Sequence, residues 1–235
     1  MIFIQRMNTL FGPLHLSVPV LTTVIYYKYI DEVKKIDINK DILFILSAIH
    51  NAGLSAFSLY IFLNMSRIIY QRGIAFQSSY YYSDSEFDRL AFYFYLSKYY
   101  EFADIVLVVL QKKKPLFLQT FHHIGAIFCW HLCHVYKVDA IWTANLINSL
   151  VHTIMYFYYL LSLYKIKTIK NIKAAITTLQ LTQLASSIVL CPYAYYPPVE
   201  TVFKYKILLV FNAYVCVLIV LFLQFYMKTY VAPSR

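Results

Sequence analysis

The sequence predicts an all-α membrane protein with seven transmembrane helices, and three observations carry that expectation. Of its 235 residues, 60% are hydrophobic and 14% charged, where soluble domains have about half and a quarter. The apolar residues gather into long runs rather than scattering, and a helix that crosses a bilayer needs about 20 of them. The charges sit in short links between those runs, with a net charge of +10, as in membrane proteins whose cytoplasmic loops are basic. A soluble globule of this length could not hide so much apolar surface. A membrane barrel would need apolar and polar residues to alternate, and no segment does so.

Seven segments follow in order: 13–29, 42–66, 87–110, 116–136, 140–164, 172–193 and 206–227. Each is bounded by charge or proline. The first is short. The third contains Lys98, Glu101 and Asp104, but these recur at threes, the helical spacing. The longest polar connection, 67–89, includes Ser78-Ser79-Tyr80-Tyr81-Tyr82-Ser83, which reads as loop. No soluble domain, linker or repeat interrupts the pattern, so 1–235 reads as one transmembrane domain. One side of the segments would hold 13 Lys and Arg and the other 7, which places the N-terminus outside and the C-terminus in the cytosol. The stretch after Met1 lacks a small-residue cleavage site, so no cleavable signal peptide is expected.

The basic residues suit a membrane surface or a phosphorylated small molecule better than nucleic acid. Cys129, Cys133, Cys191 and Cys216 lie within or at the ends of apolar segments and show no CxxC or zinc-type spacing, so they read as small buried hydrophobes. The 24 Tyr and 18 Phe fit interfacial belts and aromatic cavity walls.

Ionisable and amide side chains within hydrocarbon are costly, so their positions are informative. Lys98, Glu101 and Asp104 share one broad helical face and can pair; a structural ion pair accounts for them as well as a polar cavity does. Gln119, His122 and His123 follow the basic turn Lys112-Lys113-Lys114-Pro115, near the cytosolic end of the fourth segment. Adjacent histidines point about 100° apart, so only one of them is expected to face a given cavity. Asn148 and His152 are four apart on one face, followed by Met155, Tyr156, Tyr158 and Tyr159. Thr177, Gln180 and Gln183 again recur at threes; amides also join membrane helices structurally. Convergence of the four faces on one buried polar site would explain them together.

Seven histidines are present: His15, His50, His122, His123, His131, His134 and His152. They form too few boxes for a two-iron site. A zinc on His122, His123 and His152 is geometrically allowed, but no Asp or Glu partner is near them in sequence. A seven-helix receptor, lipid-binding protein or transporter would explain the segment count but not the clustering of His, Asn and Gln. No paired broken helices mark a transporter.

In order along the chain, Lys98-x-x-Glu101-x-x-Asp104, Gln119-x-x-His122-His123, Asn148-x-x-x-His152-x-x-Met155-Tyr156-x-Tyr158-Tyr159 and Thr177-x-x-Gln180-x-x-Gln183 resemble the KxxExxDT, HxxHH, NxxxHxxMYxYY and TxxQxxQ motifs of the ELO family of very-long-chain fatty acid elongases. His50-Asn51 and the aromatic Phe222, Phe225, Tyr226 and Tyr230 are similar to further family features. Ile105 replaces the Thr of the first motif, and Gln119 the first His of the second.

The resemblance implies an endoplasmic reticulum enzyme, multi-pass, with a lumenal N-terminus and six helices around an acyl-chain tunnel. It would condense a long-chain acyl-CoA with malonyl-CoA to 3-ketoacyl-CoA, CO2 and CoA, without a cofactor or metal. A ketoacyl reductase, a dehydratase and an enoyl reductase would complete the cycle, and a homodimer is compatible with it. An acyl thioester needs a nucleophile, and no Cys here has a base at motif spacing. Apolar burial keeps an imidazole neutral, so His122 is expected to carry the acyl group, with His152 as its partner and His123 positioning. Asn148, Gln180 and Gln183 can hydrogen-bond an enolate oxygen. Lys98, Glu101 and Asp104 hold the site or meet the malonyl carboxylate, and Tyr156 and Tyr159 line the substrate. CoA phosphates are expected on the loops with Lys112, Lys113, Lys114, Lys165, Lys167, Lys170 and Lys173. Gln119 cannot shuttle protons, which leaves it a hydrogen-bonding role. Gln here also occurs among the family's polyunsaturated-chain elongases. The C-terminal Val231-Ala-Pro-Ser-Arg235 has no dilysine retrieval signal, so the endoplasmic reticulum placement rests on the resemblance.

Overall fold

The computed structural model describes residues 16–74, 80–166, 172–193 and 202–231, the side chains of 139 and 191–193 excepted. His15, Lys167, Lys170, the side chain of Cys191 and the last four residues therefore lie outside the described residues.

Every described element is helical: α1 (Ser17–Lys35), α2 (Lys40–Arg72), α3 (Ser85–Tyr100), α4 (Ala103–Leu110), α5 (Phe117–Val135), α6 (Trp142–Leu163), α7 (Ile172–Tyr193) and α8 (Val202–Tyr226). A 3₁₀ turn, Asp139–Ile141, precedes α6, and a π turn, Met227–Val231, prolongs α8. α3 and α4 make one broken rod, so the expected seven segments appear as seven rods. α2, α6 and α8 with its π turn are long and apolar enough to cross a membrane. The other rods carry the charged and amide residues that dilute their apolar character.

Two expectations change in detail. α1 runs beyond 29 to Lys35, through a charged stretch. Asp31 pairs with Lys34 at 2.6 Å and Glu32 with Lys35 at 2.7 Å. Both lysines also lie at the negative end of the helix dipole. The third segment breaks at Glu101 and Phe102, where bonds tighten to three-residue steps: Phe102 N–H to Tyr99 O at 3.2 Å and Asp104 N–H to Glu101 O at 3.1 Å.

The helix ends are set locally. Asn39 Oδ1 accepts from the N–H groups of Asp41 and Ile42, and Asp84 Oδ1 from those of Glu86 and Phe87, which caps α2 and α3. The turns after α4, α5 and α6 place lysines at positive φ, Lys112 at 58°, Lys137 at 49° and Lys165 at 55°. Lys113 N–H then reaches Val108 O and Val138 N–H reaches Cys133 O, satisfying last-turn carbonyls as a Schellman cap does.

Side-by-side packing closes six rods into a ring: α2 against α6, α6 against α7, α7 against α8, α8 against α5, α5 against α3 and α3 against α2. α1 lies outside it, against α4 and α5. One half of the ring is filled by Met65, Tyr81, Phe87, Trp130 and Phe211. Trp130 stands between Phe94 and Phe211, at 5.7 and 5.2 Å between ring centroids, and donates to Asn145 Oδ1 at 2.7 Å. The outer faces are apolar and exposed, as with Leu209, Val210, Val217, Val220 and Leu223 of α8. A continuous face of this kind suits lipid rather than water.

Candidate active site

The other half of the ring holds a cavity of about 620 Å³. All six rods contribute to its wall. It runs from Asn148 past His152 to Leu163 at the end of α6, beside Lys113 and Lys173. It therefore reaches the end of the ring where the α4–α5 and α6–α7 turns lie.

Most sequence-selected residues meet here. Gln119, His122 and His123 from α5, Asn148, His152, Tyr156 and Tyr159 from α6, Gln180 and Gln183 from α7, Asp104 from α4 and Lys113 all line the wall. Both adjacent histidines reach it, their rings 5.3 Å apart, against the expectation of one. The cavity is wide enough to touch two neighbouring directions of α5. Lys98 and Glu101 do not line it; they are buried to 2% exposure behind Asn148 and His152. Lys112 is also elsewhere: its Nζ donates to the carbonyls of Lys34 and Ile36 and ties the α4–α5 turn to the end of α1.

Two carboxylates, three residues apart, organise the site. Lys98 Nζ donates to Glu101 Oε1 at 2.8 Å and to Asn148 Oδ1 at 3.0 Å. An ammonium only donates, so the Asn148 oxygen must face it, and the amide N–H groups turn the other way. Glu101 Oε1 also lies 3.5 Å from His152 Nδ1. Asp104 takes His50 Nε2 on Oδ1 and the Tyr156 hydroxyl on Oδ2, each at 2.7 Å. His123 Nε2 stands 3.6 Å from the same Oδ2. Asp104 thereby joins α2, α4 and α6, with α5 at its edge.

A carboxylate oxygen of Glu101 and one ring nitrogen each of His122 and His152 lie within 4.8 Å of one another. The acidic partner that the neighbouring sequence lacks is thus supplied by the fold. Glu101 is 21 positions before His122 in sequence and is brought in by the packing of α3 on α5. Lys98 already occupies its Oε1, which disfavours a second cation at the same oxygen.

Sequence reasoning missed Tyr214 of α8. Its hydroxyl is 2.8 Å from the backbone oxygen of His122 and 3.3 Å from His122 Nδ1. Tyr230, noted only as part of an aromatic finish, lines the cavity and meets Thr177 Oγ1 at 3.3 Å. Gln180 Nε2 donates to Met155 Sδ at 3.0 Å.

Residues 9–235 match the model of the GNS1/SUR4 family, ELO. The chain is 36% identical over 186 residues to very long chain fatty acid elongase 4 of Trypanosoma cruzi (strain CL Brener), covering 73% of this chain and 64% of that protein. It is 34% identical over 155 residues to fatty acid elongase sre1 of Dictyostelium discoideum, covering 60% and 57%. Fatty acid elongase A of the same organism is 40% identical over 77 residues, covering 32% and 28%. The chain thus spans less than two thirds of the length of each of these relatives.

Proposed function

This chain belongs to the ELO (GNS1/SUR4) family, and on that premise we propose that it is a membrane acyltransferase that condenses a long-chain acyl-CoA with malonyl-CoA. The observation that carries the reading is that His122 and His152 line one cavity, with a Glu101 carboxylate oxygen behind them and within 4.8 Å of a ring nitrogen of each. The cavity is the entry half of an acyl tunnel within the six-rod ring. Its mouth faces the cytosol of the endoplasmic reticulum membrane, with the N-terminus lumenal. CoA phosphates dock near Lys113 and Lys173. No cofactor is required. The product passes to a ketoacyl reductase, a dehydratase and an enoyl reductase.

The steps balance as follows. His122 attacks the thioester carbonyl, the C–S bond breaks, CoA thiolate leaves and an acyl-imidazolium forms. The Glu101 carboxylate lies close enough to offset that positive charge. Malonyl-CoA then loses CO2. The amide N–H groups of Asn148, turned from Lys98, stabilise the enolate oxygen with Gln180 and Gln183. The enolate carbon attacks the acyl carbonyl, the C–N bond breaks, and neutral His122 returns. The thiolate takes its proton from solvent on release. His152, held by Glu101, orients the thioester beside His122, and His123 is held on Asp104.

The test is direct. Purified protein given acyl-CoA and carboxyl-labelled malonyl-CoA releases labelled CO2 and forms 3-ketoacyl-CoA two carbons longer. With acyl-CoA alone, the peptide bearing His122 gains the acyl mass. Binding of both substrates with no product sinks the enzymatic reading in favour of a lipid-binding or transport protein. Turnover abolished by chelation, with stoichiometric metal in the purified protein, replaces the acyl-histidine by a metal on Glu101, His122 and His152.

A further inference from the structure

We infer that Tyr214, seated on Gly125, fixes the tautomer of His122 so that Nε2 carries the lone pair that attacks the thioester. This rests on the acyl-histidine reading and adds a positioning residue to it.

Counting protons decides the tautomer. A tyrosine hydroxyl has one proton and can also accept. Its oxygen lies 2.8 Å from the His122 carbonyl oxygen, which only accepts, so the proton points there. The same hydroxyl oxygen lies 3.3 Å from His122 Nδ1. With its proton committed, it presents a lone pair to that nitrogen. The contact is favourable only when Nδ1 carries hydrogen. A neutral imidazole has one N–H, so Nε2 is bare. Nε2 is also the ring nitrogen farther from the backbone, in a side chain that lines the cavity.

Gly125 makes the arrangement sterically available. It lies three positions after His122, on the same side of α5. A Cβ built there would stand 2.1 Å from Tyr214 Cε2, 2.7 Å from Cδ2 and 2.9 Å from Cζ. The Cε2 edge of the ring therefore sits against the bare backbone at 125, where every other residue would displace it. Phe121 supports it from one side at 5.8 Å between ring centroids, and Tyr214 is 8% exposed. Attack from Nε2 keeps hydrogen on Nδ1 throughout: the N–C bond forms, C–S breaks, and the positive charge spreads over a ring still donating to Tyr214.

The experiment uses the full chain in nanodiscs, labelled with ¹⁵N-histidine, with His122→Gln identifying the His122 signals by difference. In the wild type, Nδ1 shows the shift of a protonated nitrogen and Nε2 that of a bare one; the reverse overturns the inference. Tyr214→Phe keeps the ring on Gly125 and removes the hydroxyl. It is expected to mix the tautomers and slow acyl transfer to His122 about 3- to 10-fold, as loss of one hydrogen bond does, with acyl-CoA KM unchanged. Gly125→Ala, which retains Tyr214 but displaces its ring and so carries the hydroxyl away from His122, reproduces the tautomer change. An unaltered spectrum and rate in Tyr214→Phe overturn the inference even where Gly125→Ala does not fold. Failure of the wild type to acylate His122 sinks the covalent reading alone, because the nitrogen shifts still decide the tautomer.

Discussion

Replacing Lys98 by Met isolates the energetic role of the ion pair at the centre of the ring. Lys98 and Glu101 are both 2% exposed. Nζ makes two bonds, to Glu101 Oε1 and Asn148 Oδ1, while Glu101 Oε2 has no partner. Methionine fills the same space but leaves one carboxylate oxygen with the weaker contacts of Ser97 Oγ at 3.3 Å and His152 Nδ1 at 3.5 Å and the other still bare. Breaking a buried pair from one side costs about 3–5 kcal/mol. For a chain of this length each kcal/mol moves the midpoint by about 2–4 °C, so thermal unfolding in detergent should fall by roughly 6–20 °C. Adding Glu101→Gln removes the uncompensated charge, and the double variant should regain at least half of the loss. The cycle gives the coupling directly. A Lys98→Met protein within about 1 kcal/mol of wild type, or a double variant less stable than the single, refutes the reasoning.

Three other perturbations read different parts of the molecule. Glu101→Gln alone leaves His152 without its carboxylate, and kcat should fall about 100-fold with little change in KM, measured by CO2 release. Asp104→Asn turns an amide N–H toward either His50 or Tyr156, one of which loses its acceptor; a loss of about 1–3 kcal/mol should appear in the unfolding midpoint. Asp84→Ala removes the α3 cap, at a cost of about 1 kcal/mol near neutral pH. Partial burial pushes the Asp84 carboxyl up, but the N–H donors of Phe87 and Glu86 and the Arg72 guanidinium outweigh it and hold the group below the ordinary carboxylate range. Its contribution is thus present above the unfolded pKa and lost as pH falls through the folded one. The gap between Asp84→Ala and wild type should therefore close below about pH 4.

The rods were legible because each apolar run is long enough for a helix, is bounded by charge or proline and shows no strand-like alternation; three of the described helices are also long and apolar enough to cross a membrane. Their ends were less so. The extension of α1 through Asp31–Lys35 depends on ion pairs that hydropathy counts against it, and the break at Glu101 follows from packing, with no Pro or Gly to announce it. The polar faces were legible because each repeats at helical spacing, and the ring brings them to one cavity. Contacts between rods were not. Nothing in the numbering ties Glu101 to His122, and Tyr214 sits inside the apolar run of α8, where a tyrosine resembles its neighbours. A partial signal did exist for it: Gly125, one of only four glycines, lies inside a helix beside the two histidines and leaves bare backbone there for another group to approach, although Gly53, also inside a helix, has no neighbour against it.

The partition of acidic groups among the histidines bears on which of them attacks. His152 faces Glu101 at 3.5 Å, and His50 and His123 face Asp104 at 2.7 and 3.6 Å. Among the described residues no carboxylate comes within ion-pair distance of His122; Glu101 stays within 4.8 Å of it, and the side chain against its Nδ1, Tyr214, is an uncharged hydroxyl. A carboxylate facing a ring nitrogen fixes the ring by accepting that nitrogen's N–H, which holds the imidazole in place. The Tyr214 hydroxyl orients the His122 ring in the same way and brings no charge to it. Glu101 is nonetheless close enough to attract positive charge once it develops, when a bond to Nε2 forms. A group that acts on the charged transition state more than on the neutral ground state is what lowers a barrier. The histidine paired with a hydroxyl rather than an acid is therefore the one suited to be the nucleophile, and the acid-paired His152 is suited to hold and orient.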